Sequence, residues 1–245
     1  MELFAILATC AALSGAATQT EQPVSSSDCQ AAASEYQASL QSVELSNEDR
    51  DAIARVAFAE AANQGDSGLA GVTYTIINRL ISDQWGHSVT AVVNAPRQFE
   101  PVHRAGGWRQ LPALSPTQRT RVDTIINLAL DGRLPDLTNG ALFFQNPDVV
   151  RDREAAGTVS KGLTHFGGST PSAVIQDHTF YASINNARGA GSAVPVRVKA
   201  ERIPEPQAWD AYGQARDKEL KQAQAWDVFT TGGAGNTVII GGKEE

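Results

Sequence analysis

The most regular apolar pattern of the chain lies between residues 46 and 65. The positions that recur at i, i+3, i+4 and i+7 are Ile53, Val56, Ala57 and Glu60. This spacing places the four side chains on one face of an α-helix. Ser46 suits the N-cap position, and Asp49 three residues later forms a loose capping box. The pattern predicts a helix whose inward, apolar face ends in a carboxyl group.

The carboxyl group in question belongs to Glu60, just before the helix breaks at Gly65. An apolar setting disfavours the charged form of a carboxyl group and raises its pKa. A raised pKa is what a general acid needs near neutral pH. The alternative is that Glu60 only caps an edge or pairs with a nearby arginine.

Downstream of this helix the pattern predicts a mixed fold. A second helix is expected over 68–82, joined to the first by a short loop so that the two pack as a hairpin. Residues 89–93 form a helix or a strand, 102–114 a surface loop, and a third helix runs from Ser115-Pro116 to about residue 131. Strands are expected at 141–145 and 172–182, with a polar loop between them.

The two ends of the chain differ from this folded part in composition. We expect residues 1–17 to be a signal peptide, because a short apolar run ends in small residues, although Glu2 has the wrong charge. The alternative is a short helix that stays in place, in which case Cys10 and Cys29 can pair. Residues 18–45 are expected to form a polar linker, which can include a short helix near 29–45. Residues 46–184 are expected to form the catalytic domain, and 185–245 a low-complexity tail with one polar helix.

Charge limits the partners of the protein. Against 27 acidic residues there are 20 lysines and arginines, which gives a net charge of −7 with no strong basic block. This balance argues against nucleic acid as a partner. No stable membrane span is expected after signal removal, and no metal or other cofactor is expected. An acidic protein is not steered to an anionic wall, so we expect any protein partner to bind the tail.

Five motifs in order resemble one family. They are Ala54-Arg55-Val56 with Phe58-Ala59-Glu60-Ala61, Gly71-Val72 with Ile77-Asn78-Arg79, Gln98-Phe99, Ala141-Leu142-Phe143-Phe144, and Asp177-His178-Thr179-Phe180-Tyr181. Residues 50–183 thereby resemble the spore-cortex-lytic type of bacterial cell wall hydrolase. The resemblance implies an α+β domain akin to lysozyme and resuscitation-promoting factors, with helices packed on a small antiparallel sheet. It also implies cleavage of peptidoglycan glycan strands between N-acetylmuramic acid and N-acetylglucosamine, with Glu60 as the catalytic acid, in the periplasm or cell wall.

The chain departs from the family pattern after Glu60. The family usually continues Ala-Arg-Gly-Glu, whereas here Gln64 stands in place of the second acid. Glycosidases with two carboxylates need a nucleophile or base beside the acid. Glu100 and Asp66 are the candidates retained, ahead of Asp83 and Asp177, and no spacing forces any of them next to Glu60. Without a partner, the 6-hydroxyl of muramic acid attacks its own C1, which is the reaction of a lytic transglycosylase and the one we favour.

Substrate contacts are assigned to five further residues. They are Asn78, Gln98, Phe99, His178 and Tyr181. The amides can bond sugar hydroxyls or acetamido groups, and aromatic rings can stack on sugar faces. Each has an ordinary structural alternative, namely a loop-closing amide, core packing or a structural histidine.

Three alternative functions stay open. One is a hydrolytic muramidase with a second carboxylate. Another is a metal-dependent amidase or peptidase, for which His165 and Asp177-His178 would have to meet, although no His-x-x-x-His pair occurs. The last is a non-catalytic wall-binding or virion structural module, which would not need Glu60.

Overall fold

A computed structural model describes residues 3–14 and 24–184 of the chain. The predicted first helix is α3, Asn47–Ala61, and the Ser46 and Asp49 side chains each accept the other's backbone N–H in a capping box. Helix α4, Gly65–Ser82, begins three residues earlier than predicted and packs against α3. Residues 68–79 of α4 are all buried, so α4 is the central helix of the fold.

Short helices cover the outer side of this hairpin. They are α5, Val89–Val93; α6, Glu100–Ala105; a 3₁₀ turn, Trp108–Gln110; and α7, Pro116–Leu130, which starts at the N-cap Ser115. The surface loop predicted over 102–114 is wrong, because Val102, Trp108 and Leu111 are each only 3% exposed. These three apolar residues are too far apart in the sequence to show the period of a helix or a strand, so the segment looks like a loop.

Three short strands form the sheet. They are β1, Phe143–Gln145; β2, Ala173–Ile175; and β3, His178–Tyr181, in the antiparallel order β1-β3-β2. The single strand predicted over 172–182 is a hairpin, whose turn contains Gln176 in the left-handed region (φ 51°). All four residues of the central strand β3 are buried. A mostly helical fold with one small antiparallel sheet matches the predicted α+β class.

The segment between β1 and β2 is partly helical. Helix α8, Pro147–Ala155, begins at the N-cap Asn146, whose side chain accepts from the N–H groups of residues 148 and 149. A four-residue turn, α9, His165–Gly168, follows with left-handed backbone angles at Phe166 and Gly167. The predicted polar loop thus contains a helix that has no buried residues and therefore shows no apolar face.

In the described ranges before α3 there are two helices. Helix α1, Leu3–Ser14, packs on α2, Ser26–Gln41, and Cys10 forms a disulfide with Cys29 across a Cα separation of 5.7 Å. Tyr36 and Leu40 of α2 are buried. Part of the predicted solvated linker is therefore a docked helix. Removal of residues 1–17 as a signal stays a prediction.

The helices of the described ranges do not suit a membrane span, and the predicted tail helix lies beyond those ranges. In the ranges 3–14 and 24–184, no helix combines the length and the apolar character needed to cross a bilayer. The predicted polar helix within 185–245 lies outside the described residues.

Candidate active site

Glu60 lies in the last turn of α3, on a face whose apolar members at 53, 56 and 57 have no exposed surface. Its side chain is half-buried, and its Oε1 atom is buried without a hydrogen-bond partner among the described residues. Burial, with a smaller contribution from the negative charge of Glu100, raises the pKa of Glu60 to about 8 against the lowering effect of Arg79. Glu60 therefore carries a proton at neutral pH, as a general acid must.

Arg79 of α4 is the counter-charge of this carboxyl group. It is 2% exposed, its Nε donates to the Leu142 carbonyl oxygen at 2.7 Å, and its guanidinium lies 4.8 Å and 4.9 Å from the rings of Trp85 and Phe99. Burial lowers the pKa of Arg79 to about 9, although Glu60 raises it, so the side chain stays charged at neutral pH. The positive charge of Arg79 thus favours the ionised form of the Glu60 carboxyl group. Sequence reasoning missed this interaction, although an arginine inside a buried helix was a usable signal.

Glu100 lies beside Glu60, because its backbone N–H donates a hydrogen bond to the Glu60 carboxyl group. Its own carboxylate points to two arginines. Arg153 of α8 donates to both oxygens, at 2.9 Å and 3.1 Å, and Arg104 donates to Oε1. Burial raises the pKa of Glu100, but the bonds and charges of Arg153 and Arg104 outweigh it, and the net pKa is lowered. A protonated and an ionised carboxyl group are therefore neighbours.

Asp66, the other candidate for a second carboxylate, is held elsewhere. It stands in the first turn of α4 and forms an ion pair with Arg121 of α7, which is 7% exposed. An ion pair with a buried arginine ties this carboxylate to the α4–α7 contact. Both carboxylates predicted as partners of Glu60 are consequently engaged by arginines.

Gln64 and His178 form a second polar pair near the end of α3. Gln64 Nε2 and His178 Nε2 are 3.3 Å apart, and the side chains are 7% and 6% exposed. Burial lowers the pKa of His178 to about 4, although the charge of Asp177 opposes this, so the ring is neutral at pH 7. Gln64 Oε1 and His178 Nδ1 are both buried and find no partner in the described ranges. The sequence pattern indicates at Gln64 only the absence of an acid and gives no sign of this pairing.

The remaining predicted contacts lie mostly in the core. Asn78 has no exposed surface, and its amide accepts from Tyr36 (2.6 Å) and donates to Asp136 (3.0 Å) and to the Ala141 carbonyl oxygen (3.1 Å). These bonds occupy the Asn78 amide in the structure, and its contact with sugar stays a prediction.

The two aromatic candidates are also enclosed. Phe99 is 1% exposed and packs on Arg79, and Tyr181 has no exposed surface and lies 2.8 Å from His165 Nδ1 through its hydroxyl. Neither ring has a face open to a sugar. Gln98 is half-buried, with only a long bond from its Nε2 to the Pro96 carbonyl oxygen at 3.4 Å. Of the five predicted contacts, Gln98 and His178 keep polar atoms available.

The metal alternative finds no ligand set in the described part of the chain. No three histidine, cysteine, aspartate or glutamate side chains converge there on a position that suits a metal ion. His165 instead lies against Tyr181, and His178 against Gln64.

The order of motifs along these elements can be compared with known families. Residues 63–181 match the family model described as Cell Wall Hydrolase. The match spans just under half of the chain and begins three residues after Glu60, so it includes Arg79, Glu100 and His178 but not the acid itself. No curated protein and no solved structure matched the chain.

The match supports the predicted family at its coarser level. It indicates an enzyme of the cell wall hydrolase type, with peptidoglycan as its substrate and an extracellular or wall-associated setting.

Proposed function

We propose that the protein cleaves peptidoglycan glycan strands between N-acetylmuramic acid and N-acetylglucosamine as a lytic transglycosylase, with Glu60 as acid and then base. The observation that carries the proposal is the half-buried Glu60 carboxyl group, which holds its proton at neutral pH beside the charged Arg79. This arrangement supplies a proton to a leaving oxygen and then stabilises the resulting carboxylate.

The reaction needs one carboxyl group and no water. Glu60 donates its proton to the glycosidic oxygen as the bond from C1 to that oxygen breaks. The 6-hydroxyl oxygen of the muramic acid bonds to C1, and its proton passes to the Glu60 carboxylate. The products are a 1,6-anhydromuramic end and a free 4-hydroxyl on N-acetylglucosamine, and Glu60 is protonated again.

Transglycosylation is favoured because the alternative carboxylates are occupied. The bonds from Arg153 and Arg104 to Glu100 reduce its basicity and its freedom to attack C1. Asp66 is tied to Arg121 in the same way. A nucleophile supplied by the substrate requires neither.

A hydrolytic muramidase is the second candidate, and one observation favours it. Glu100 is ionised beside a protonated Glu60, and a pair of carboxyl groups with separated pKa values is the usual mark of an acid with a base or nucleophile. In that mechanism Glu100 would activate water or attack C1 directly.

The proposal extends to the fold class and the location of the protein. We place the catalytic domain, residues 46–184, in the lysozyme-like class, because its acid ends a helix that packs near a small antiparallel sheet. The protein acts after export, in the periplasm or cell wall.

Mass spectrometry of soluble fragments from purified peptidoglycan tests the proposal. The full chain and Glu60→Gln are compared, with Glu48→Gln, an exposed acid on the same helix, as the matched control. Anhydro-muropeptides from the wild type and the control, but not from Glu60→Gln, are expected. Reducing muramic ends would establish hydrolysis. Cleaved peptide stems with intact glycan, or wall binding without any cleavage, would overturn the proposal.

A further inference from the structure

Among the described residues, four of the nine buried side-chain polar atoms without a hydrogen-bond partner belong to Glu60 and to the residues grouped with it in the site. Buried atoms without a hydrogen-bond partner among the described residues include Glu60 Oε1, Arg79 Nη1, Gln64 Oε1 and His178 Nδ1. Most buried polar atoms in folded proteins are hydrogen-bonded, so such a group calls for an explanation. The proposed mechanism uses Glu60 and Arg79 but leaves Gln64 and His178 without a role.

The Gln64–His178 pair presents one spare donor and one spare acceptor whichever way its hydrogens are arranged. If Gln64 donates from Nε2 to His178 Nε2, the ring proton is on Nδ1, and the spare groups are the Nδ1–H donor and the Oε1 acceptor. If the amide is turned over, His178 Nε2–H donates to the glutamine oxygen, and Nδ1 becomes the acceptor while the amide N–H becomes the donor. A secondary amide, with its own N–H and C=O, complements the pair in both arrangements.

The position of the pair suits a group next to the scissile bond. Gln64 is the N-cap of α4, and its backbone N–H donates to the carbonyl oxygen of Ala61, the last residue of α3, at 3.0 Å, which keeps it next to the end of the helix that carries Glu60. The Phe144 ring connects the two parts of the site, with its centre 6.2 Å from Phe99 and 5.0 Å from His178. In the sugars of peptidoglycan the acetamido group is on C2, next to the C1 at which the bond breaks.

We propose that Gln64 and His178 together bind the acetamido group of the sugar beside Glu60, which makes the site specific for N-acetylated glycan. The inference rests on the proposed glycan substrate. Both unpartnered atoms are buried, so the acetamido group reaches them only if a neighbouring side chain moves. The half-buried Phe144 ring, which packs on His178, is placed to do so.

Binding of neutral sugar oligomers tests the pair without any need for cleavage. Chitotetraose and cellotetraose share a β-1,4 backbone and differ at C2, where one carries an acetamido group and the other a hydroxyl. Isothermal titration of the full chain is expected to show at least about tenfold tighter binding of chitotetraose, from two further hydrogen bonds. Gln64→Met and His178→Phe should each reduce this ratio, and the double variant should bring it close to one.

The control is Asn63→Ala, which removes the neighbouring, exposed amide and should leave the ratio unchanged. Thermal melting shows whether each variant is folded, and if one is not, the wild-type ratio still decides. Equal binding of the two oligomers by the wild type, or an unchanged ratio in folded variants, would overturn the inference. A tenfold preference in a protein that releases no muropeptides would support acetamido binding while the proposed reaction failed.

Discussion

Two polar clusters contact α4, and they differ in how completely their groups are paired. The first is centred on Asp136, whose carboxylate accepts from the Tyr36 hydroxyl, the Asn78 amide, the Thr138 hydroxyl and backbone N–H, and the Gly140 N–H. Those bonds occupy both oxygens. Around Glu60, by contrast, four side chains each leave a buried polar atom without a partner in the part of the chain that the structure describes. A cluster whose polar atoms are all hydrogen-bonded is typical of a structural role. Buried polar atoms without partners are what we expect where a ligand supplies the missing hydrogen bonds.

The largest expected effect comes from removing the acid. Glu60→Gln should reduce release of fragments from dye-labelled peptidoglycan by at least about a thousandfold, because the leaving oxygen loses its proton donor. The free energy of unfolding should not fall, since the change removes a titratable group that burial already disfavours. Urea denaturation checks the second part. A destabilised Glu60→Gln protein would place Glu60 with the structural cluster.

The reverse result is expected at Asp136. Asp136→Asn sets an amide against several donors and should lower the free energy of unfolding by about 3 kcal/mol, as expected for the loss of charged hydrogen bonds. Activity per folded molecule should stay within about threefold of the wild type. Asp131→Asn, an exposed position nearby, is the control. Loss of activity without loss of stability would contradict the division between the two clusters.

The next effect in size is the pH dependence of activity, which we expect to follow the titration of Glu60. Because the acid form of Glu60 is the active one and its pKa is about 8, the rate should fall above pH 8 by about tenfold per pH unit. The folded state binds this proton more tightly than the unfolded state. Its stabilising contribution is therefore fully present below the ordinary glutamate pKa and is lost as the pH rises through about 8. Rates and melting temperatures from pH 5 to pH 10, with Glu60→Gln as the reference, measure both.

A smaller effect is expected from Glu100. Glu100→Gln should cost less than about tenfold in rate at pH 7, because the substrate supplies the nucleophile. It should also move the alkaline limb to lower pH, since the Glu100 charge raises the pKa of Glu60. The control is Asp148→Asn, an exposed acid on α8 paired with Arg151. A thousandfold loss would identify Glu100 as a second catalytic carboxylate and establish hydrolysis as the mechanism.

The parts of the fold that sequence reasoning predicted are those set by local rules. The cap at Ser46, the inward face of α3 and the cap at Ser115 follow from spacing within one helix. The sequence predicts one strand where the structure has the β2–β3 hairpin, because the turn uses Gln176 rather than glycine. The short helix expected near 29–45 is α2, but its docking on the fold was not predictable, because only Ala32, Tyr36 and Leu40 are buried in its sixteen residues.

The site was predictable only where one helix determined it. The inward position of Glu60 follows from periodicity, whereas the bond from the Glu100 N–H to Glu60 depends on how α6 packs on α3. The pairing of Gln64 with His178 joins residues 114 positions apart. The bonds of Asn78 were equally beyond sequence reasoning, because its partners come from α2 and from the segment before β1.

The most direct test is an NMR titration of the Glu60 side-chain carboxyl carbon, assigned by comparison with Glu60→Gln. A midpoint near pH 8 in the free protein is predicted, with the acid form dominant at neutral pH. A midpoint near the ordinary glutamate value of about 4.3 would mean that Glu60 is ionised when the enzyme works, and would contradict its role as the general acid.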